Sequence, residues 1–324
     1  MRVVLLNKLC NAIGDEMDRA VEAGGIDAVT AALRGADDTS DRELLEAGCA
    51  LLGRFLIADF ELTEQAGERG IVAALVSALR HTGGGEGGQR VVISICESIE
   101  HTCEMFDDNA AAACAAGAAE AMVVALRDHC AGSTEALAHC CNALLSTWLN
   151  EELEGVAGAS GILEATIAML GANIDSAEVQ RAGCQVLASA NAGNQVRAGG
   201  AGGIEAVVAA MKAHRGAEAV QLVGCNAFKH LLCGDGNAEN RTRARAAGAA
   251  AELEAAAAAF PTGRVTEFAK AALEALASSR NAPTAEKGGE AQKLLPHDDA
   301  TAHRRRLGHH ADIPHSSYYY TTPG

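Results

Sequence analysis

The chain has 324 residues and a formal net charge of −16, with 26 Lys and Arg against 42 Asp and Glu. Binding to a phosphate backbone requires clustered Lys and Arg, so this balance argues against a nucleic-acid partner and permits a basic one. No stretch approaches the roughly 18 uncharged apolar residues of a membrane span, and we expect none.

The chain begins with a short apolar segment, residues 1–13. Val4, Leu5 and Leu9 have the spacing of the inward face of a helix. No preceding helices cover that face. We therefore expect a partial repeat here, from either an array that starts with half a unit or a truncated beginning.

From Gly25 onward one unit recurs, marked by a glycine that precedes an apolar helix. The marker glycines are 42–47 residues apart. They are Gly25, Gly70, Gly117, Gly161, Gly203 and Gly248. This spacing predicts about six helical repeats.

A second, longer helix follows each apolar helix and carries a small residue at one repeated position, 22–24 residues after the marker glycine. In four repeats this residue is a cysteine, namely Cys49, Cys141, Cys184 and Cys225. Ile93 and Lys270 replace it in the second and sixth repeats. We expect the cysteines to be buried and the Lys270 repeat to cap the array.

The eleven cysteines do not favour a disulfide framework, because their number is odd and four share the repeated position. Free cysteine behaves as a small buried apolar residue, which is typical of a reducing compartment. The apolar run at residues 1–6 is too short for a secretory signal. We expect a cytoplasmic location, with the nucleus as the alternative.

The helical pattern ends near Ser279. Residues 281–324 are rich in Pro, Gly, His and charged residues, a composition that predicts a disordered tail. Five Lys and Arg balance five Asp and Glu there, so the net charge belongs to the array, residues 1–280.

The unit resembles the armadillo repeat, which has ~40–47 residues. Armadillo units have a short first helix, a glycine and a second helix, and a long third helix with an Ala-Leu-x-Asn-Leu-like run. Similar runs begin here at Leu51, Ile95, Ala143, Val186, Ala227 and Ala272. The resemblance covers about residues 1–280. It implies an all-α, armadillo-type α-solenoid, a right-handed superhelix of three-helix repeats, with HEAT-like stacking as the alternative.

Residues that could carry chemistry are sparse. The clusters His101-Thr102-Cys103 and His139-Cys140-Cys141 lack the paired Cys-x-x-Cys spacing of a zinc site, and adjacent residues do not share a helix face. No Gly-x-Ser-x-Gly or His-Glu-x-x-His motif occurs. We expect no metal, no cofactor and no enzymatic activity. A Cys–His pair that only the fold brings together keeps a cryptic enzyme as an alternative.

The resemblance also suggests a carrier of basic peptides, because importin-like members of the family bind them. Those proteins use Asn on successive third helices, with Trp one turn earlier. The Asn-equivalent positions here are Arg54, Ser98, Ser146, Ser189, His230 and Ala275. None is Asn, and none of the Trp-equivalent positions is Trp, so the importin-like ladder is missing.

The resemblance implies that third helices line a concave groove. We therefore interpret the chain as a protein–protein interaction scaffold or adaptor for a partner segment, a protein or peptide that the charge allows to be basic. The candidate partner-binding residues are Arg54, Ser94, Ser98, Asn142, Ser146, Gln185, Ser189, Asn226 and His230. Asn142, Gln185 and Asn226 stand out, since each amide both donates and accepts hydrogen bonds.

Overall fold

A computed structural model describes residues 24–34, 42–82, 84–148, 161–190, 192–234 and 237–278, together with residue 19. The regular elements in these ranges are all helices, without a strand, which confirms the all-α prediction. The predicted partial repeat at residues 1–13 and the predicted tail at residues 281–324 lie outside the described residues.

The described helices form three layers, according to their place in the repeat. The second helices are α1 (Gly25–Arg34), α4 (Ile71–His81), α7 (Ala118–Val124, extended by the π-helical turn Ala125–His129), α9 (Ile162–Ala172), α12 (Gly203–Ala213) and α15 (Ala249–Ala259). The third helices are α2 (Arg42–Ala58), α5 (Glu86–Met105), α8 (Thr134–Trp148), α10 (Ala177–Ala188), α13 (Glu218–Leu232) and α16 (Arg264–Ala277). The described first helices are α3 (Phe60–Glu64), α6 (Asp107–Ala115), α11 (Ala192–Gly200) and α14 (Ala238–Ala247).

Equivalent helices of consecutive repeats pack on one another. Each third helix from α2 to α13 contacts the next third helix, and each second helix from α1 to α12 contacts the next second helix. A repeat therefore meets its neighbours in sequence, which is the arrangement of a solenoid. This places equivalent third-helix residues side by side.

A left-handed glycine precedes each second helix. Backbone φ at these glycines lies between 70 and 98°, where a side chain is strained. They are Gly24, Gly70, Gly117, Gly161, Gly202 and Gly248. In the first and fifth repeats the left-handed residue is thus one position earlier than the predicted markers Gly25 and Gly203. Both markers belong to glycine pairs, and the second glycine of each pair lies in the first turn of the helix.

The repeated small position lies in the core, as predicted. Its four cysteines, Cys49, Cys141, Cys184 and Cys225, are 0 % exposed and not disulfide-bonded. Burial raises the thiol pKa of both Cys184 and Cys225 to about 12. Lys270, at the same position in the last repeat, is exposed.

Buried asparagines tie the first helices to the preceding repeat. On α14, Asn240 is 2 % exposed, and its Nδ2 donates to the carbonyls of Gln195 and Leu231, both at 2.9 Å. Gln195 belongs to the first helix and Leu231 to the third helix of the repeat before. One side chain thereby fixes three helices.

Asn109 on α6 makes the same pair of bonds three repeats earlier. Its Nδ2 donates to the carbonyls of Thr63 at 2.6 Å and Thr102 at 3.1 Å, and its Oδ1 accepts from the Gly67 amide at 2.7 Å. Asn109 and Asn240 each lie eight residues before a left-handed glycine. Buried asparagine side chains thus form hydrogen bonds between repeats, which the apolar pattern does not predict.

Taken singly, no described helix is both long and apolar enough to cross a bilayer. One bent pair, Asp107–Ala115 with Ala118–His129, meets the requirement when its two helices are counted together.

Candidate partner-binding face

The nine predicted residues lie on the third helices, with Ser189 at the C-cap of α10. Because α2, α5, α8, α10 and α13 pack in that order, equivalent positions lie on adjacent helices. Seven of the nine are half-buried: Arg54, Ser94, Asn142, Gln185, Ser189, Asn226 and His230. Burial and the neighbouring Lys229 lower the pKa of His230, which favours its neutral form at pH 7.

The two other residues, Ser98 and Ser146, are only 4 % and 1 % exposed. The Ser98 hydroxyl donates to the Ser94 carbonyl at 2.7 Å, and the Ser146 hydroxyl to the Ala143 carbonyl at 2.9 Å. A Cβ at Gly53 on the adjacent α2 would lie 2.7 Å from Ser98 Oγ, so this serine fills a helix–helix contact. Both hydroxyls are turned towards carbonyls of their own helices, so Ser98 and Ser146 do not belong to the candidate face.

The side-chain amides of Asn142, Gln185 and Asn226 remain at equivalent, half-buried positions on α8, α10 and α13. The side-chain amide of Asn142 lies close enough to the carboxylate of Glu100 on α5 to counteract part of the rise in its pKa. Each amide offers donors and an acceptor, which suits the alternating groups of an extended peptide backbone.

An acidic cluster on α5 lies beside this row. Glu97, Glu100 and Glu104 are three and four residues apart, so they share one helix face. His139 Nε2 on α8 is 3.8 Å from Glu97 Oε1. Burial, together with the charges of Glu104 and Glu97, raises the pKa of Glu100 to about 7, against a smaller opposing effect of Arg181. The cluster makes this part of the face attractive to a cation at neutral pH.

Sequence reasoning missed this cluster, although a signal was present. Three glutamates at helical spacing follow Ser94 on the second-repeat third helix, one helix before Asn142. Their spacing predicts a shared face, but only the packing of α5 against α8 brings that face to the amide row.

Replacing Glu100 with Gln should stabilise the fold at high pH. A glutamate in an unfolded chain has a pKa of about 4.3. Between that value and about 7 the folded protein retains a proton that the unfolded chain has lost, so stability falls as pH rises through this window. Allowing for solvent screening of a half-buried group, we expect Glu100→Gln to raise the free energy of unfolding by about 1 kcal/mol at pH 8 and to change little at pH 4.5.

Urea denaturation at the two pH values measures this difference. The exposed Glu135 on α8 supplies the control variant Glu135→Gln, which should alter the free energy of unfolding by less than about 0.5 kcal/mol at either pH. A Glu100→Gln protein that is less stable than the wild type at pH 8 would contradict the argument.

The described residues do not assemble a metal centre. No group of three or more His, Cys, Asp or Glu side chains among them is placed to hold a metal ion. Cys140 and Cys141 of the His139-Cys140-Cys141 cluster are buried, and their thiol pKa values are raised. A raised pKa disfavours the thiolate, which is the form that binds metals and attacks substrates.

No protein-family model matches the chain, and no curated protein matches it in sequence. Solved structures do match. A designed armadillo repeat protein has a TM-score of 0.62 at 22 % identity, over 78 % of this chain and 99 % of its own length. Another, in complex with the peptide (KR)4, has a TM-score of 0.62 at 21 % identity, over 78 % and 99 %. An engineered protein has a TM-score of 0.65 at 20 % identity, over 78 % and 98 %. These likenesses show an armadillo-like repeat fold.

Proposed function

We propose that this armadillo-like all-α solenoid is a non-catalytic scaffold or adaptor that binds an extended segment of a partner protein along the concave face of its third helices. The observation that carries the proposal is the amide row Asn142, Gln185 and Asn226, half-buried at equivalent positions on three consecutive third helices. Helix packing itself requires no amide there. A row of groups that both donate and accept can pair with successive peptide groups of an extended chain.

Charge supports a basic partner segment. The array carries the whole net charge of −16, and Glu97, Glu100 and Glu104 lie beside the first amide of the row. One structurally similar designed protein binds the basic peptide (KR)4. Because the importin-like ladder is missing from this chain, we propose backbone recognition with electrostatic attraction rather than importin-like cargo binding.

The non-catalytic role rests on the lack of a recognised catalytic motif in the sequence and on the raised pKa values of the buried cysteines. Free, buried cysteines also favour a reducing compartment, and we propose the cytoplasm, with the nucleus as the alternative. A metal analysis and a broad hydrolase screen would test the enzyme alternative.

The triple variant Asn142→Ala, Gln185→Ala, Asn226→Ala should weaken partner binding at least tenfold, because several hydrogen bonds to the partner backbone are lost together. Pulldown with mass spectrometry first identifies partners, and isothermal titration then compares a fragment of the best one with wild type and variant.

The matched control replaces three exposed residues of second helices, Glu120→Ala, Glu205→Ala and Lys212→Ala, and should bind within twofold of wild type. Circular dichroism must show that both variants retain their helices. Unchanged affinity of a folded amide variant would place the partner elsewhere.

A further inference from the structure

A second surface lies where third helices end and first helices begin, next to the end of α5 that carries Glu104 of the acidic cluster. Ile57 at the end of α2, Phe60 at the start of α3 and Met105 at the end of α5 are 70 %, 63 % and 47 % exposed. The Phe60 ring meets that of Phe106 edge-on, with centroids 5.2 Å apart. Ile57 lies three residues before Phe60 in the chain and Met105 directly precedes Phe106, so the ring contact links two successive junctions that each carry an exposed apolar residue. We name these four residues the junction patch.

Acidic residues flank the junction patch in the chain. Residues 57–64 and 104–108 contain no Lys or Arg and six acidic residues. These are Asp59, Glu61, Glu64, Glu104, Asp107 and Asp108. Asp59 is the N-cap of α3, and its carboxylate accepts a hydrogen bond from the Leu62 amide at 3.0 Å. Glu61 accepts a hydrogen bond from the Gln65 side-chain amide at 3.2 Å. The side chains of Glu61, Glu64, Glu104, Asp107 and Asp108 are all exposed.

We propose that the junction patch docks a basic amphipathic helix of a partner protein, whose apolar side chains cover Ile57, Phe60, Met105 and Phe106 and whose Lys or Arg residues meet the surrounding carboxylates. Large exposed apolar side chains rimmed by charge mark interaction sites. The two junctions belong to helices packed at roughly 8–10 Å, a distance that apolar residues one to two turns apart on a helix can bridge.

Charge complementarity selects this occupant over a lipid surface. Anionic lipid headgroups attract basic segments and repel carboxylates, so the acidic rim opposes membrane docking. A second copy of the chain would bring its own net charge of −16 to the same surface.

The probe is a fluorescein-labelled 15-residue peptide of Leu and Lys, with Leu at helical i, i+3, i+4 spacing, titrated with the full chain by fluorescence polarisation. One control peptide has the same composition in scrambled order, and a second has Glu in place of every Lys. The main variant combines Ile57→Ser, Phe60→Ser and Met105→Ser. The matched control is Val196→Ser, which removes an apolar side chain that is 43 % exposed on α11.

We expect the amphipathic Lys peptide to bind at least tenfold more tightly than either control peptide, and the triple variant to lose at least tenfold in affinity. Val196→Ser, and the triple Ala variant of the amide row, should bind within twofold of wild type. A second variant, Glu61→Lys with Glu64→Lys, leaves the apolar residues in place and should weaken binding at least fivefold, so the test survives a misfolded triple variant.

The proposal is overturned if the folded triple variant binds within twofold of wild type, if the scrambled or Glu peptide binds as tightly, or if Val196→Ser loses as much. Binding that disappears in the amide-row variant would assign the peptide to the concave face instead. Patch-dependent binding to phosphatidylserine vesicles would show that the surface meets a membrane, which also overturns it.

Discussion

Replacing Cys225 with Asp should lower the free energy of unfolding by about 3–5 kcal/mol, because it places a carboxylate in the core without a partner. Cys225 is 0 % exposed on α13. The burial that raises its thiol pKa to about 12 would oppose ionisation of a carboxylate in the same place. Urea denaturation at pH 7, followed by circular dichroism, measures the loss.

The array contains its own control for this change. Lys270 occupies the equivalent position in the last repeat but is exposed, so Lys270→Asp should change the free energy of unfolding by less than about 0.5 kcal/mol. The same new side chain is thus compared at one repeat position, buried in the fifth repeat and exposed in the sixth. Similar losses from both variants would mean that the repeated position does not mark the core.

Replacing Gly199 with Ala should cost about 2–4 kcal/mol, although Ala is the better helix former. Gly199 is buried on α11, and a methyl group there would overlap the side-chain amide of Asn240. Displacing that amide breaks its bonds to the carbonyls of Gln195 and Leu231. Leaving these groups unpaired adds to the cost of the overlap.

Gly200, the next residue of α11, offers a matched comparison. It is exposed, and a Cβ there would meet nothing within 4 Å. Gly200→Ala should therefore be neutral or stabilise by up to about 1 kcal/mol. Thermal unfolding of the two variants measures the contrast. If Gly199→Ala is as stable as Gly200→Ala, then Asn240 can relax without loss and does not fix the three helices.

The fold could be predicted from the sequence because the same residue types recur at equivalent positions in successive repeats. One glycine or one cysteine would indicate little, but Cys49, Cys141, Cys184 and Cys225 share a position, and burial confirms it for each. The glycine markers were displaced by one residue only at Gly24-Gly25 and Gly202-Gly203, where both residues can adopt positive φ. Composition does not say which glycine of a pair begins the helix.

The hydrogen bonds of buried side-chain amides were not predicted, because an apolar pattern carries no information about polar groups. Gln180 donates to the carbonyls of Leu170 at 2.8 Å and Asn173 at 2.9 Å. Gln221 makes the equivalent bonds one repeat later, to the carbonyls of Met211 and His214 at the same two distances. Both amides lie four residues before a buried cysteine, a repeat signal that could have identified them.

The candidate face was predicted less completely, since it depends on how each third helix is rotated about its axis. Equivalent spacing placed Ser98 and Ser146 with the amides, but both serines are buried, and each hydroxyl donates to a carbonyl of its own helix. The raised pKa of Glu100 arises from burial and from the charges of Glu104 and Glu97. Only the packed structure reveals this burial. Positions one turn apart can be listed from sequence, whereas their exposure cannot.

The bonds of Asn109 and Asn240 to the preceding repeat connect residues no more than 46 positions apart. Tension applied to the two ends of the array would therefore pass through successive repeat boundaries rather than through one long-range clamp. Each boundary that yields releases one repeat, and a repeat of 42–47 residues extends by roughly 150 Å. Under load the array would lengthen stepwise, one repeat at a time, while the repeats that are still folded keep their asparagine hydrogen bonds.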